Sequence, residues 1–197
     1  MSNDKSNRRS GKIIVVSAPS GCGKSTIINS ILDSGDPALR FSVSATNRHP
    51  RTGEVDGVHY HFMTTEEFRD AIAADEFIEW EEVYPGRYYG TLKSEVERII
   101  DKGGDIILDI DVKGGLNVKK LYGEKAKTIF FLPPSIEELR HRLEHRGTDA
   151  KEVIDERVGK AEYEISFADS FDERIVNDNL DKAIEQTRKT ITDFINS

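Results

Sequence analysis

The chain has 197 residues, enough for one domain with insertions around a substantial core and too few for a multidomain machine. Its 28 basic and 36 acidic residues give a net charge of −8, which excludes a general attraction to nucleic acid or to an anionic membrane, so any anionic ligand must be held by local positive groups. Cys22 stands alone, which excludes an internal disulfide, and no run approaches the ~18 apolar residues of a membrane span. The expected setting is therefore reducing and cytoplasmic.

The first twelve residues, MSNDKSNRRSGK, are polar and lack the apolar centre of a secretory signal, so residues 1–10 are expected to be a disordered tail. The rest of the chain is organised around residues 11–26, GKIIVVSAPSGCGKST. Ile13 to Val16 show no polar alternation and read as a strand buried on both faces of a parallel sheet. Gly21 and Gly23 then allow a tight turn with inward N–H groups, Lys24 brings charge to terminal phosphates, and Ser25 offers a hydroxyl to Mg²⁺. Ala18 replaces the first glycine of G-x-x-x-x-G-K-[ST], but the strand before and the helix after support a phosphate loop.

The apolar spacing of Thr26 to Leu32 predicts a helix ended by Gly35-Asp36-Pro37, and Phe41 to Ser44 reads as a half-exposed strand. The basic loop from Ala45 to Gly57 carries Arg48, Arg51 and Glu54, a set suited to a phosphate and a purine edge. Val58 to Phe62 alternates as a strand, which puts Tyr60 opposite His59 and His61; with no third ligand at sensible spacing, these histidines read as strand residues. Thr64 and Glu67 form a capping box for a helix to Ala74. Glu76 to Val83, the Pro85-Gly86 turn and Tyr88 to Thr91 read together as a hairpin.

Ser94 to Lys102 reads as an amphipathic helix closed by glycines. Asp105 to Asp111 is expected as a buried strand with Asp109 and Asp111 on one face, then a helix from Lys113 to Tyr122 and a buried strand from Lys127 to Leu132. Ser135 and Glu138 have capping-box spacing before a helix holding Arg140, Arg142 and Arg146, and Thr148-Asp149 opens a second charged helix, with Arg157, to about Phe167. These two helices look like a lid. Arg174 to Asn177 reads as the last strand and Leu180 to Ile195 as a closing helix. The expected division is core over 11–40, insertion over 41–92, core over 93–134, lid over 135–168 and core over 169–197.

Phosphoryl transfer needs positive groups, Mg²⁺ and in-line alignment rather than covalent chemistry from the protein. Lys24 and Ser25 suit the donor phosphates and the metal, with Asp109 acting on Mg²⁺ through water. Arg48 and Arg51 would fork onto an acceptor phosphate, and Arg142, Arg146 and Arg157 would neutralise charge on the transferred group. Guanine presents two adjacent donors at N1 and N2, which a carboxylate accepts; Glu54, Glu79 and Asp111 are the candidates. Ser44 and Thr91 could add hydroxyls, and Tyr60 and Tyr89 a phenol to the phosphate.

The blocks APSGCGKS, FSVSATNRHPRTGEVDGVHYHF, EFIEW, YYGT, ILDID, PPS, RLEHRGTD and IVND stand in the order and spacing of the guanylate kinase family, which the chain resembles from about Lys12 to Phe194. The resemblance implies an α/β P-loop nucleoside triphosphate hydrolase-type parallel core with a small mixed GMP-binding insertion and a helical lid. It implies ATP and GMP (or dGMP) as substrates with Mg²⁺, giving ADP and GDP, by a monomer or homodimer without nucleic-acid or membrane partners. By the same resemblance GMP lies against Ser44, Arg48, Arg51, Glu54, Tyr60, Glu79, Tyr89, Thr91 and Asp111. ATP lies on Ala18, Pro19, Ser20, Gly21, Cys22, Gly23, Lys24, Ser25 and Thr26, with Arg142, Arg146 and Arg157 around the phosphates and Asn177 near the adenine. Departures are Ala18, Asn47 where a second threonine is common, and a longer, more basic turn at Tyr84 to Arg87.

Three other readings share parts of this pattern. A phosphopeptide-binding module of the same fold typically has an eroded phosphate loop, whereas Gly21, Gly23, Lys24 and Ser25 are all present. Asp111 to Gly114 fits the D-x-x-G of a GTPase, but the chain has no N-K-x-D. A kinase of this fold acting on another phosphorylated acceptor is opposed by the set Arg48, Arg51 and Glu54.

Overall fold

The computed structural model describes residues 9–145 and 150–197. Five strands form a wholly parallel sheet: β1 (Ile13–Ser17), β2 (Leu39–Phe41), β7 (Asp105–Asp109), β8 (Ala126–Leu132) and β9 (Glu173–Val176), in the order β2-β7-β1-β8-β9. The intervening β3 (Ala45–Thr46), β4 (His61–Phe62), β5 (Phe77–Tyr84) and β6 (Arg87–Leu92) make a second, mostly antiparallel sheet in the order β4-β3-β6-β5.

The unbroken apolar run of β1 has the cause its sequence suggests. Ile14 and Val16 point into a core with Ile27, Ile28 and Ile31 of α1 (Lys24–Ser34) and Ala183 and Ile191 of α7 (Leu180–Ile195). Ile13 and Val15 point the other way, toward Val96, Ile99 and Ile100 of α3 (Lys93–Ile100) and Val118 of α4 (Val112–Tyr122). With both faces covered, β1 has no solvent side to write as polar. Its C-terminal end is where the chain turns away, the usual place for a ligand in an open parallel sheet.

The second sheet builds its own small core. Phe68 of α2 (Thr65–Ala73) stacks on Phe77 at 4.4 Å and on Tyr88 at 5.5 Å between ring centroids, with Ala45 and Ala71 closing the cluster. The capping box at its N-terminus is present in both directions: Glu67 N–H donates to Thr64 Oγ1 at 3.1 Å and Thr64 N–H donates to Glu67 Oε2 at 2.6 Å. A further cluster joins α5 (Ile136–His145) and α6 (Lys151–Ile165) through Leu139, Leu143, Ile154, Val158 and Ala161.

Four local expectations change. The strand expected at Phe41 to Ser44 is shifted back to Leu39–Phe41, and it pairs with β7 in the parallel sheet. Of Val58 to Phe62 only His61–Phe62 is strand, because a loop bridge between Asp56 and Tyr60 takes the earlier residues. The Ser135–Glu138 box is made in one direction: Glu138 N–H donates to Ser135 Oγ, while the Glu138 carboxylate accepts from Arg142 Nε at 2.8 Å. Arg9, expected in a disordered tail, donates to the Asp105 carboxylate at 3.0 Å; the rest of that expected tail, residues 1–8, lies outside the described residues.

Phe68 is fully buried between two rings, so Phe68→Ala leaves a cavity that the small second core cannot refill. Chemical denaturation is expected to show a loss of about 3–5 kcal/mol.

Candidate active site

Residues 18–26 wrap a cavity of about 440 Å³ at the end of β1, closed on its far side by Asp109, Ile110, Asp111 and Glu164. The loop is shaped by left-handed backbone at Gly21 (φ 94°) and Gly23 (φ 85°). A Cβ on Gly23 would sit 2.6 Å from Asn177 Nδ2, and that amide donates to Cys22 O at 2.8 Å, so Asn177 locks the loop from behind. Cys22 itself is buried, which pushes its thiol up to about 12 and leaves it unreactive. Ser25 and Thr26 open α1 and are exposed to the cavity.

Lys24 Nζ forms an ion pair with Asp109 Oδ1 at the end of β7. The expectation that Asp109 and Asp111 share a strand face is corrected: β7 ends at Asp109, and Asp111 is the N-cap of α4, accepting from Gly114 N–H at 2.7 Å. Ser17 Oγ donates to Ile110 O at 2.8 Å and Asp111 O at 3.1 Å, which ties this turn to β1. The D-x-x-G match at Asp111 to Gly114 thus has a structural cause. Gly114 is buried against Glu79, whose Cγ would lie 2.7 Å from an added Cβ.

Glu79 of β5 shares a second cavity, about 370 Å³, with Trp80, Asp111 and Lys113. It accepts from Thr91 Oγ1 at 2.7 Å. Burial is the main cause that raises its carboxyl to about 7; Thr91 opposes the shift, and the nearby charges of Asp111 and Glu81 add to it. Glu164 of α6, on the wall of the first cavity, is also shifted upward, first by burial.

Arg48 and Glu54 form a bidentate pair, with both N–O distances 2.6 Å, and the Arg48 side chain is only 8% exposed. Glu54 also accepts Arg51 N–H at 2.7 Å. The Arg48 bond, then the Arg51 N–H, hold the Glu54 carboxyl at about 2. The Arg48 guanidinium lies over the Tyr60 ring at 4.9 Å, and its pKa is raised first by Glu54 and further by the neighbouring Tyr89 phenol. Both oxygens of Glu54 are therefore engaged in shaping the loop that presents Arg48. Ser44 is half-buried, with its carbonyl accepting from His61 N–H, and the Arg51 residue is exposed.

On α5, Arg142 donates to Glu138 and, at 3.1 Å, to Asn177 O. Arg157 is half-buried on α6, and Arg146 lies outside the described residues, as does the cap expected from Asp149.

One residue of structural weight that the letters alone did not assign still carries a signal in the sequence, departure from a family pattern. Asn47 donates to Thr65 Oγ1 and to Gly86 O, each at 2.8 Å, and accepts Tyr88 N–H at 2.7 Å. One departure thus holds the other, the turn at Tyr84 to Arg87, in place. Glu164 carried no such signal.

A parallel sheet with a phosphate loop at its centre, beside a second sheet that carries a carboxylate-lined cavity and, apart from it, the nearly buried Arg48, defines a P-loop kinase of small phosphorylated molecules. The guanylate kinase family model matches residues 10–194. The chain is 55% identical over 184 residues to a guanylate kinase of Porphyromonas gingivalis, covering 93% of this chain and 98% of that one. It is 56% identical over 186 residues to one of Bacteroides thetaiotaomicron, covering 94% and 91%. A crystal structure of guanylate kinase from Anaplasma phagocytophilum superimposes with TM-score 0.68 at 30% identity, covering 95% of this chain and 87% of that one. The chain belongs to the guanylate kinase family.

Glu79 gives a pH test without ligand. Its folded value of about 7 stands above the ordinary 4.5, so the favourable state is the protonated one. The stability it contributes is complete below about pH 4.5 and is lost as pH rises through 7. Glu79→Gln is expected to match wild type near pH 4.5 and to be more stable at pH 8, by up to about 3 kcal/mol, in thermal unfolding without nucleotide.

Proposed function

We propose that the two cavities divide a transfer of the γ-phosphoryl group from ATP to GMP, giving ADP and GDP, with the donor on the phosphate loop and the acceptor against the second sheet. The observation that carries this division is that Asp111 lines both cavities, so ligands in the two would approach each other across one side chain. The activity itself is that of the guanylate kinase family, nucleoside monophosphate kinases.

Gly21, Gly23 and Lys24 take the donor phosphates, and Lys24 leaves Asp109 to do so. Mg²⁺ fits the groups present. Among the described residues there is no cluster of three or more histidine, cysteine or carboxylate ligands, whereas Mg²⁺ keeps waters and is bound through one or two protein oxygens plus substrate phosphates. Ser25 Oγ would hold it directly and Asp109 through water; both line the loop cavity. The ion would supply charge neutralisation on the donor phosphates.

Arg48, already held flat by Glu54 and Tyr60, meets the acceptor phosphate with Arg51, Tyr60 and Tyr89 around it. Glu54 acts by orienting Arg48 rather than by reading the base. Glu79 and Asp111 accept from guanine N1–H and N2–H₂, with Thr91 fixing the Glu79 carboxylate and Ser44 at the edge; dGMP, unchanged at the base, is accepted too. An adenine in this position would bring its N1 acceptor against carboxylates. Arg142, Arg146 and Arg157 approach the transferred group as the lid closes, and Asn177 lies beside the donor's base. An unpaired Cys22 inside the loop suits a reducing, cytoplasmic location.

The discriminating assay is coupled ADP release with GMP, dGMP, IMP, AMP, CMP and UMP. GMP and dGMP are expected to turn over far faster than AMP, CMP and UMP; equal rates across the set would sink the reading. Lys24→Ala is expected to lower kcat by at least about 10²–10³-fold with an unchanged circular dichroism spectrum, and near-normal turnover would refute its role.

An ionised Glu79 is the form that accepts from guanine. With its carboxyl near 7 before GMP binds, the KM for GMP is expected to fall about tenfold from pH 6 to pH 8. Titration of the GMP phosphate contributes equally to any variant, so the ratio of wild type to Glu79→Gln isolates the carboxyl. A ratio independent of pH would show that Glu79 does not read the base.

A further inference from the structure

Beside the loop lies a third cavity of about 610 Å³, bounded by Gly21, Gly23 and Thr26 on one side and by α5, Asn177, Asp178 and Leu180 on the other. Two imidazoles form part of its wall. His141 and His145 are four apart on α5, so they stand on one helix face; their rings lie 5.2 Å apart between centroids and 28° from parallel. Both residues are exposed, and among the described residues neither has a hydrogen-bond or ion-pair partner. We propose that His141 and His145 are the stacking surface for the purine base of the phosphoryl donor.

Elimination of the other recognition modes supports the assignment. Reading the edge of a base requires free donors and acceptors, and apart from the imidazole nitrogens and the Thr26 hydroxyl those of this cavity are largely engaged. Arg142 is tied to Glu138 and to Asn177 O, Asn177 Nδ2 to Cys22 O, and Asp178 Oδ1 to Asn179 N–H. The flat rings of His141 and His145 and the apolar side chain of Leu180 remain. A base held this way is recognised by its face, which every purine offers, and much less by its edge. The site is therefore tolerant among purines, and a purine gains more than a pyrimidine only through its larger stacked area.

The proposal rests on reading this cavity as the place of the donor's base, and the test separates the two. In the double variant His141→Ala/His145→Ala, loss of a base–aromatic stack is expected to raise the KM for ATP about tenfold. The kcat and the KM for GMP stay unchanged, and ITP is affected as much as ATP. The double variant His141→Phe/His145→Phe keeps a flat ring at each position and is expected to restore the KM for ATP. Leu180→Trp fills the cavity from α7 and should raise that KM whatever the histidines do. If Leu180→Trp raises it and the double alanine variant does not, stacking is refuted and the cavity reading stands. If neither raises it, the cavity reading itself fails. Phenylalanines that fail to rescue, or a fall in kcat and melting temperature in place of a rise in KM, would show the histidines to be lid packing and overturn the proposal.

Discussion

Negative charge is concentrated where a negatively charged ligand must come. Asp109, Asp111 and Glu164 line the loop cavity and Glu79 faces Asp111 from the next, in a chain already carrying −8. Like charges in a partly buried space disfavour one another's ionised forms. The molecule relieves this in two visible ways: Lys24 pairs with Asp109, and Glu79 and Glu164 hold their protons to higher pH. In the proposed division of the site both reliefs are undone by substrates: a donor phosphate competes for Lys24, and guanine N–H groups favour the Glu79 carboxylate that burial opposes. Part of each ligand's binding energy goes to displacing Asp109 from Lys24 or the proton from Glu79, so a ligand that cannot offset that cost is rejected.

The site proposed for the acceptor phosphate is built in the opposite way, with nothing left to resolve. Arg48 is paired, stacked and nearly buried before any ligand arrives. Freezing a free arginine costs side-chain entropy at the moment of binding; here Glu54, Tyr60 and Tyr89 have already restricted it. The Glu54 carboxylate, held at about 2, remains ionised throughout the working pH range. A guanidinium whose charge is shared with a carboxylate is a weaker anion magnet than a free one, but its fork is already aimed, and geometry is what arginine contributes to phosphate recognition.

How much of this was legible depends on where the information lies along the chain. β1 and α7 were readable to within a residue, because a strand buried on both faces and a long amphipathic helix write their surroundings into their own periodicity. The Thr64–Glu67 box was equally local. Leu39–Phe41 could not be placed, since what makes it core is its pairing with β7, more than sixty residues on. Asp111 was misplaced by two residues of strand for a related reason: only the tie from Ser17 shows that the chain has already turned into a helix cap. For the site, the residue types were legible and the division of labour was not. Glu54 and Glu79 look alike as letters, and only their partners separate a carboxylate held very low by Arg48 from a buried one near neutrality, the one proposed to read the base.

The turn from β7 into α4 is what lets two sheets act as one site. Asp111 caps the helix through Gly114 N–H, and the same glycine, lacking a side chain, allows Glu79 of the second sheet to lie against the helix. A larger residue at position 114 would push Glu79 away. The helix end therefore sets the spacing between the carboxylates of the two cavities, while Ser17 sets the spacing between that helix end and the phosphate loop. On the proposed division of the cavities, donor and acceptor alignment reduces to three short-range contacts between Ser17, Asp111, Gly114 and Glu79, none of which needs to touch the transferred phosphoryl group. In-line transfer depends on such spacing more than on any added chemistry, which is why a glycine and a serine with no chemical role occupy the centre of the site.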